Sequence, residues 1–402
     1  MLPSGVSYSE RMRDISGSAI RAIFKVLGRP GIISFAGGNP SGDALPHEAC
    51  AELSREALLR DGKRILQYGA TEGYPPFLES LLSYLKESYR FPVEKPNLLP
   101  LSGSTQGVDL LCKAFTDPGD TVLVESPTFL GNMQTLRIYQ QKLVPVESDE
   151  HGVMLDALEN AVKRTHPKLL YIIPTFQNPT GCTLAAERRE PIAKMAEKYG
   201  FLVMEDDPYR DLRYAGEPLP SIKSYDSSDH VVYMGSFSKI ISPGMRVGYM
   251  VAHEEIIAKC AIGKQGSDLH TANLTQAVVD GYLRKGLLKP HIQEIIPAYR
   301  DKLNAMLAEL STFPEGVTYT RPEGGLFIFV TMPEGFNAGA AFKEAVERGV
   351  AYVPGTSFYP EGGHENTLRL NFSNSTLEQI HDGMGILRDL FAEGDAGVYL
   401  ND

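Results

Sequence analysis

Four cysteines, Cys50, Cys112, Cys182 and Cys260, are all that this 402-residue chain carries, and no two of them form a C-x-x-C pair. That spacing supports neither a zinc site nor a redox dithiol. Reduced thiols in a cytoplasmic protein are the simplest reading. Long apolar runs are missing as well: the longest are strand-sized, short of the ~20 residues a membrane span requires. The first sixteen residues hold no unbroken apolar stretch of the kind a secretory signal uses. Cations are in the minority, 39 Lys and Arg against 50 Asp and Glu, for a net charge of -11. An acidic surface repels nucleic acid and anionic lipid, so neither is expected as a partner. Gly (38) and Pro (27) are not in excess, which excludes collagen-like and low-complexity chains. With 43% apolar and 22% charged residues the chain is not disordered, and its length predicts two or three domains.

What the chain does have is an alternation of helical and strand patterns, without an internal repeat. Apolar spacing predicts a helix over 17–27, with Ile20, Ile23, Phe24 and Leu27 on one face, stopped by Gly28-Arg29-Pro30-Gly31. Further helices are expected over 76–89, 106–115 and 184–199. Apolar, β-branched runs occupy 121–125, 168–174, 201–205, 231–236 and 247–252. Strands apolar on both faces, alternating with helices, imply an α/β fold built on a mostly parallel, covered sheet. After about Leu283 the texture changes. A helix around 297–310, strands in 324–330, 350–354 and 367–373, and a helix near 377–391 predict a smaller α+β domain. The expected division is a large domain over 46–283 and a small one made of 1–45 together with 284–402.

Such sheets bind ligands beyond the carboxyl ends of their strands, and polar residues gather in four loops there. Leu101-Ser102-Gly103-Ser104-Thr105-Gln106-Gly107 opens a helix, where free N–H groups and hydroxyls form an anion site. Alone, it reads better as an ordinary N-cap, and it fits neither G-x-G-x-x-G nor G-x-x-x-x-G-K-[ST]. Ile172-Ile173-Pro174-Thr175-Phe176-Gln177-Asn178-Pro179-Thr180-Gly181 follows a strand and, alone, is an Asn-Pro turn. Glu205-Asp206-Asp207-Pro208-Tyr209 sets three carboxylates at a strand end, which calls for a nearby cation. No metal-ligand spacing accompanies them, and no metal is expected. Finally, Lys239 lies between two strands with small or apolar flanks, Ser236, Phe237 and Ser238, and is followed by Arg246. A solvated turn lysine would have charged flanks. Ser236-Phe237-Ser238-Lys239 spells S-x-x-K, but the S-D-N and K-T-G elements of penicillin-binding enzymes are missing and the motif follows a strand.

Taken together, the four loops resemble the pyridoxal-phosphate aminotransferases of fold type I (class I/II). The resemblance runs from Ser34-Phe35-Ala36-Gly37-Gly38 to Leu368-Arg369-Leu370. It is strongest toward the kynurenine/2-aminoadipate aminotransferase branch, carried by SFAGGNP, LQYGATEGYPPFLESL, EDDPYRDL and SFSKIISPGMRVGY. It implies the aspartate aminotransferase fold: a mostly parallel seven-stranded-type sheet sandwiched by helices, plus a smaller α+β domain. It also implies pyridoxal 5'-phosphate as cofactor and a homodimer with shared active sites. Lys239 would bind the cofactor covalently, then move a proton between substrate Cα and cofactor C4′. Asp206, rather than Glu205 or Asp207, would pair with the pyridine nitrogen. Asn178 and Tyr209 would donate to the phenolic oxygen. Ser104, Thr105, Ser236, Ser238 and Arg246 would hold the phosphate. Phe129 would stack on the ring, although by itself it reads as a core aromatic. Tyr68 would reach the phosphate in the neighbouring subunit. Arg369, with Gly38 and Asn178, would clamp the substrate α-carboxylate. Arg21 matches an arginine aimed at a distal carboxylate; by itself it is a solvated helix arginine. Cys182 is expected to be a small filler.

The implied activity is transfer of an amino group from an L-amino acid (2-aminoadipate, aromatic or branched-chain) to a 2-oxo acid, 2-oxoglutarate, by a ping-pong mechanism through pyridoxamine phosphate. The same fold hosts β-lyases and decarboxylases, and the Arg369 match favours transamination over both. Some transcription regulators carry this fold as an effector-binding module. The expectation here is against that, since no ~60–80-residue DNA-binding domain precedes the fold and the chain is acidic.

Overall fold

In a computed structural model, which describes residues 3, 6–13, 15, 31–89 and 92–393, the apolar runs of the middle of the chain assemble into one sheet. A two-residue strand, β1 (Ile33–Ser34), comes first. It is followed by β2 (Leu98–Leu101), β3 (Thr121–Ser126), β4 (Lys142–Asp149), β5 (Gly152–Val153) and β6 (Leu169–Ile172). β7 (Leu202–Asp206), β8 (Val231–Ser236) and β9 (Gly248–Val251) complete the sheet, in the order β2-β9-β8-β7-β6-β3-β4-β5. The run from β8 through β4 is parallel, β9 is antiparallel to both β2 and β8, and β5 is antiparallel to β4. Apart from the short β5 hairpin strand this is the expected seven-stranded sheet, with one strand reversed. Successive side chains enter different cores. In β3, Val122 and Val124 join one apolar cluster and Leu123 the other; in β6, Leu169 and Tyr171 part from Leu170 and Ile172 in the same way. Both faces are covered, which is why these strands show no polar alternation.

The C-terminal part forms a second, antiparallel sheet of β10 (Thr318–Tyr319), β11 (Phe327–Thr331), β13 (Val353–Pro354) and β14 (Thr367–Asn371), in the order β10-β11-β14-β13. The short strand β12 (Val350–Ala351) pairs in parallel with β1 instead. Register Phe329↔Arg369 puts Arg369 at the middle of β14.

Helices Pro75–Ser88, Ser104–Phe115, Ala186–Tyr199 and Leu377–Glu393 lie close to where the apolar spacing places them. The helix expected over 297–310 is longer, Leu288–Leu310, with Pro297 inside it. A proline costs an interior helix one hydrogen bond and does not always mark a start. Helix 17–27, and Arg21 with it, lies outside the described residues. Among the described residues no helix is long and apolar enough to cross a membrane.

Candidate active site

The parallel strands β3, β6, β7 and β8 end on the same side of the sheet, and reversed β9 starts there. Two glycines let the backbone close up at that point. A Cβ on Gly248 would sit 2.9 Å from Gly235 O and 3.2 Å from Ser104 N, so β8, β9 and the 103–104 turn meet only because it is absent. Gly103 has a φ of +92°, and a side chain there would strike the Arg246 guanidinium. Arg246 Nη2 donates to Ser102 O at 3.1 Å. Ser104 is the first residue of its helix, half-buried, and Thr105 beside it is exposed. Ser236 and Ser238 are buried, with Ser236 Oγ donating to Ser238 Oγ at 2.9 Å.

The three carboxylates at the end of β7 meet three different environments. Glu205 accepts the Ile222 and Lys223 N–H groups at 2.7 and 2.8 Å. Asp207 accepts from Tyr233 OH at 3.3 Å and faces Arg210 at 3.9 Å. Asp206 Oδ2 accepts from Tyr171 OH at 2.8 Å and Asn132 Nδ2 at 3.4 Å. Its other oxygen, Oδ1, is buried with no hydrogen-bond partner, and no cation pairs with it among the described residues. Burial pushes Asp206 up to about 6, against the pull of the Tyr171 hydroxyl. The sequence reading gave all three acids one shared cation. Instead, Glu205 is held by two backbone N–H groups and Asp207 faces Arg210, although Asp207 Oδ1 is unpartnered too; among the described residues Asp206 is the one of the two aspartates that pairs with no cation.

Lys239 Nζ donates to Gly38 O at 2.8 Å. Burial first, then the neighbouring Arg246 and Arg369 cations, lower its pKa from 10.5 to about 8. Arg369 is buried and donates through Nη1 to Asn178 Oδ1 and through Nη2 to Ala36 O, both at 2.7 Å. Its Nε has no partner. The guanidinium lies over the Phe327 ring, 4.3 Å from the centroid, and burial lowers its pKa to about 10, so it stays charged at neutral pH. Asn178 Nδ2 reaches Tyr209 OH at 3.4 Å, and burial raises the Tyr209 pKa. One hydrogen-bonded group thus joins Tyr209, Asn178, Arg369 and the 36–38 segment, and the same segment holds Lys239.

Phe129 stands half-buried at the start of helix Leu130–Ile138, its ring against Gly131. Tyr68 is not brought to this group within one chain: it is 80% exposed, with its ring edge-on to His270 at 6.4 Å. Cys182 is half-buried, and its thiol pKa is raised by burial. Among the described residues no group of three or more His, Cys, Asp or Glu side chains could hold a metal ion.

The family profile described as "Aminotransferase class I and II" matches residues 30–387. The chain belongs to that family. This aminotransferase is 38% identical to the aromatic-amino-acid aminotransferase 1 of Thermococcus litoralis, over 96% of this chain and 94% of that one. It is 40% identical to the 2-aminoadipate transaminase of Thermus thermophilus, over 92% of each. The crystal structure of the multiple substrate aminotransferase from Thermococcus profundus matches it with a TM-score of 0.93 at 37% identity, covering 97% of this chain and 98% of that one.

Sequence reasoning missed Asn132 and Tyr171, the two donors to Asp206. Asn132 is three residues after Phe129, one helical turn, so a search along that face could have found it. Tyr171 stands in an apolar strand and reads as core.

Proposed function

We propose that this aminotransferase uses pyridoxal 5'-phosphate to move an amino group from 2-aminoadipate, aromatic or branched-chain L-amino acids to 2-oxoglutarate. The observation that carries the reading is the buried Asp206 carboxylate, which unlike Asp207 pairs with no cation among the described residues and is the group that a pyridinium N–H requires. The rest of the donor set fits the group. Ser104, Thr105, Ser236, Ser238 and Arg246 supply hydroxyls, a helix N-terminus and a cation for the phosphate. Asn178 and Tyr209 supply donors for the phenolic oxygen, Phe129 an aromatic face, and Lys239 the amine. Bound pyridoxal phosphate supplies an aldehyde that accepts the amino group and a ring that takes up the electron pair left at substrate Cα.

The protein's own part follows from its geometry. Lys239 Nζ, with its pKa near 8, is neutral often enough at physiological pH to act as nucleophile and then to carry the Cα proton. Asp206, fixed by Tyr171 and Asn132, would pair with the ring nitrogen and favour its protonated form. Arg369, with an unused Nε, holds the substrate α-carboxylate; Asn178 and the 36–38 segment around Gly38 complete the clamp. Two such half-reactions make a ping-pong cycle through pyridoxamine phosphate. The names of the relatives support the amino donors proposed, and Arg21 is assigned to a distal carboxylate on the donor. Tyr68, exposed in one chain, is assigned to the phosphate site of a second copy, so the working enzyme is a homodimer in the cytoplasm. Residues 46–283 form its cofactor-carrying domain, and 1–45 with 284–402 its small domain.

The test is an absorbance spectrum of the protein with pyridoxal phosphate. A visible band should move to the near ultraviolet with 2-aminoadipate and return with 2-oxoglutarate. A visible band that no 2-aminoadipate, aromatic or branched-chain amino acid moves would leave cofactor binding but overturn transamination.

A further inference from the structure

Lys264, near the end of helix Glu254–Gln265, is 0% exposed, a rare position for a lysine. Its Nζ donates to Gln106 Oε1 at 2.6 Å and to Asp268 Oδ1 and Oδ2 at 3.0 and 2.9 Å. That Gln106 oxygen also accepts the Ser102 N–H at 2.8 Å, and Gln106 Nε2 donates to Asp268 Oδ2 at 2.8 Å. Ser102 Oγ donates to Asp268 Oδ2 at 2.6 Å. The remaining polar atom of Ser102, its carbonyl oxygen, accepts from Arg246. Every polar atom of Ser102 is therefore fixed, two by this network and one by Arg246. The Lys264 carbonyl accepts the N–H groups of Ser267, Asp268 and Leu269, so the Asp268 loop is tied to the same residue through its main chain.

A buried lysine is costly to desolvate and is tolerated when its charge is matched. Here it neutralises a carboxylate that, with only the neutral Ser102 and Gln106 donors, would otherwise keep its full charge beside the 102–105 turn, where an anion is to bind. We propose that Lys264, acting through Gln106 and Asp268, is the positioning residue of that turn: it sets the direction of the Ser104 and Thr105 donors and removes the repulsion of Asp268, and so governs how tightly the cofactor phosphate is held. This inference rests on the proposed function.

Two variants test it. Ser102→Ala cuts the network at its mildest point; Lys264→Met leaves Asp268 uncompensated. Both should raise the dissociation constant for pyridoxal phosphate by about tenfold to a hundredfold and speed its release, while KM for the amino donor at saturating cofactor stays unchanged. Lower melting temperatures with wild-type cofactor affinity overturn the inference. Ser102→Ala decides it alone should Lys264→Met fail to fold, and wild-type affinity in that variant overturns it too. A wild-type chain that takes up no pyridoxal phosphate overturns the proposed function and this inference with it. A wild type that takes it up, beside variants that release it no faster, overturns this inference only.

Discussion

Lys239 combines three features: an amine, burial, and two arginines close enough to weaken its proton. Attachment to an aldehyde needs the neutral amine, so the rate at which cofactor-free protein takes up pyridoxal phosphate should rise with pH and level off above about 8. Arg369→Leu removes a positive neighbour, favours the charged amine and should shift that profile upward; stopped-flow traces that superpose would show that Arg369 takes no part in setting it. Asp206→Asn keeps the shape and loses the charge, and kcat should fall by at least about a hundredfold. Near-normal turnover in that variant would remove Asp206 from its role. The residues legible in the sequence were those in polar loops at strand ends, Lys239, Asp206 and Asn178 among them. What supports them was not legible. Tyr171 sits in an apolar strand and Lys264 in a helix without a marked apolar face, where a polar side chain reveals its partner only once the fold brings distant segments together.

Elements hold the site by pinning its loops. Helix Ala186–Tyr199 contributes Arg189, fully buried, which donates to the carbonyls of Leu184, Pro174 and Pro220 at 3.1, 2.9 and 2.8 Å. It brackets the 174–184 loop that carries Asn178. Arg189→Met would take a donor from the Leu184, Pro174 and Pro220 carbonyls, of which Pro174 O keeps the Leu184 N–H and Pro220 is open to water, and should cost about 2 kcal/mol in chemical denaturation. It should also raise KM for the amino donor, because Asn178 and Arg369 share a hydrogen bond. A loss of stability with KM untouched would confine Arg189 to a scaffold role. Strands that are buried on both faces were readable as plain apolar runs. Two others were hidden by proline: β2 carries Pro100 and β4 carries Pro145, which sequence rules confine to sheet edges. β2 is indeed an edge strand, and β4 is followed only by two-residue β5. Helix His47–Ile65 was missed because its buried positions are only Leu53, Ala57 and Ile65, too sparse a stripe for periodicity to register.

Across the molecule as a whole, burial raises several carboxyl groups among the described residues, Asp207 and Asp211 included, and three of them far: Glu125 to about 8, Glu205 to about 7 and Asp206 to about 6. In the unfolded chain they titrate near 4.5, 4.5 and 3.8. Between those values the folded state binds more protons, so their contribution is complete at low pH and lost as pH rises through 6 to 8. Glu125→Gln removes the highest of the three, and melting temperatures between pH 6 and 9 should fall less steeply for that variant than for the parent. Equal slopes would mean that Glu125, which accepts the Ile173 N–H at 2.8 Å, is already ionised at pH 6. The segment after β1 spans both sheets in a different manner: the Ala36 carbonyl holds Arg369 on the small sheet, and the Gly38 carbonyl holds Lys239 beyond the large one. Both grips are made by main-chain atoms, which no exchange of side chain at 36 or 38 can delete. A lineage drifting toward new amino donors can therefore rewrite the pocket walls while inheriting the link between guanidinium and amine unaltered.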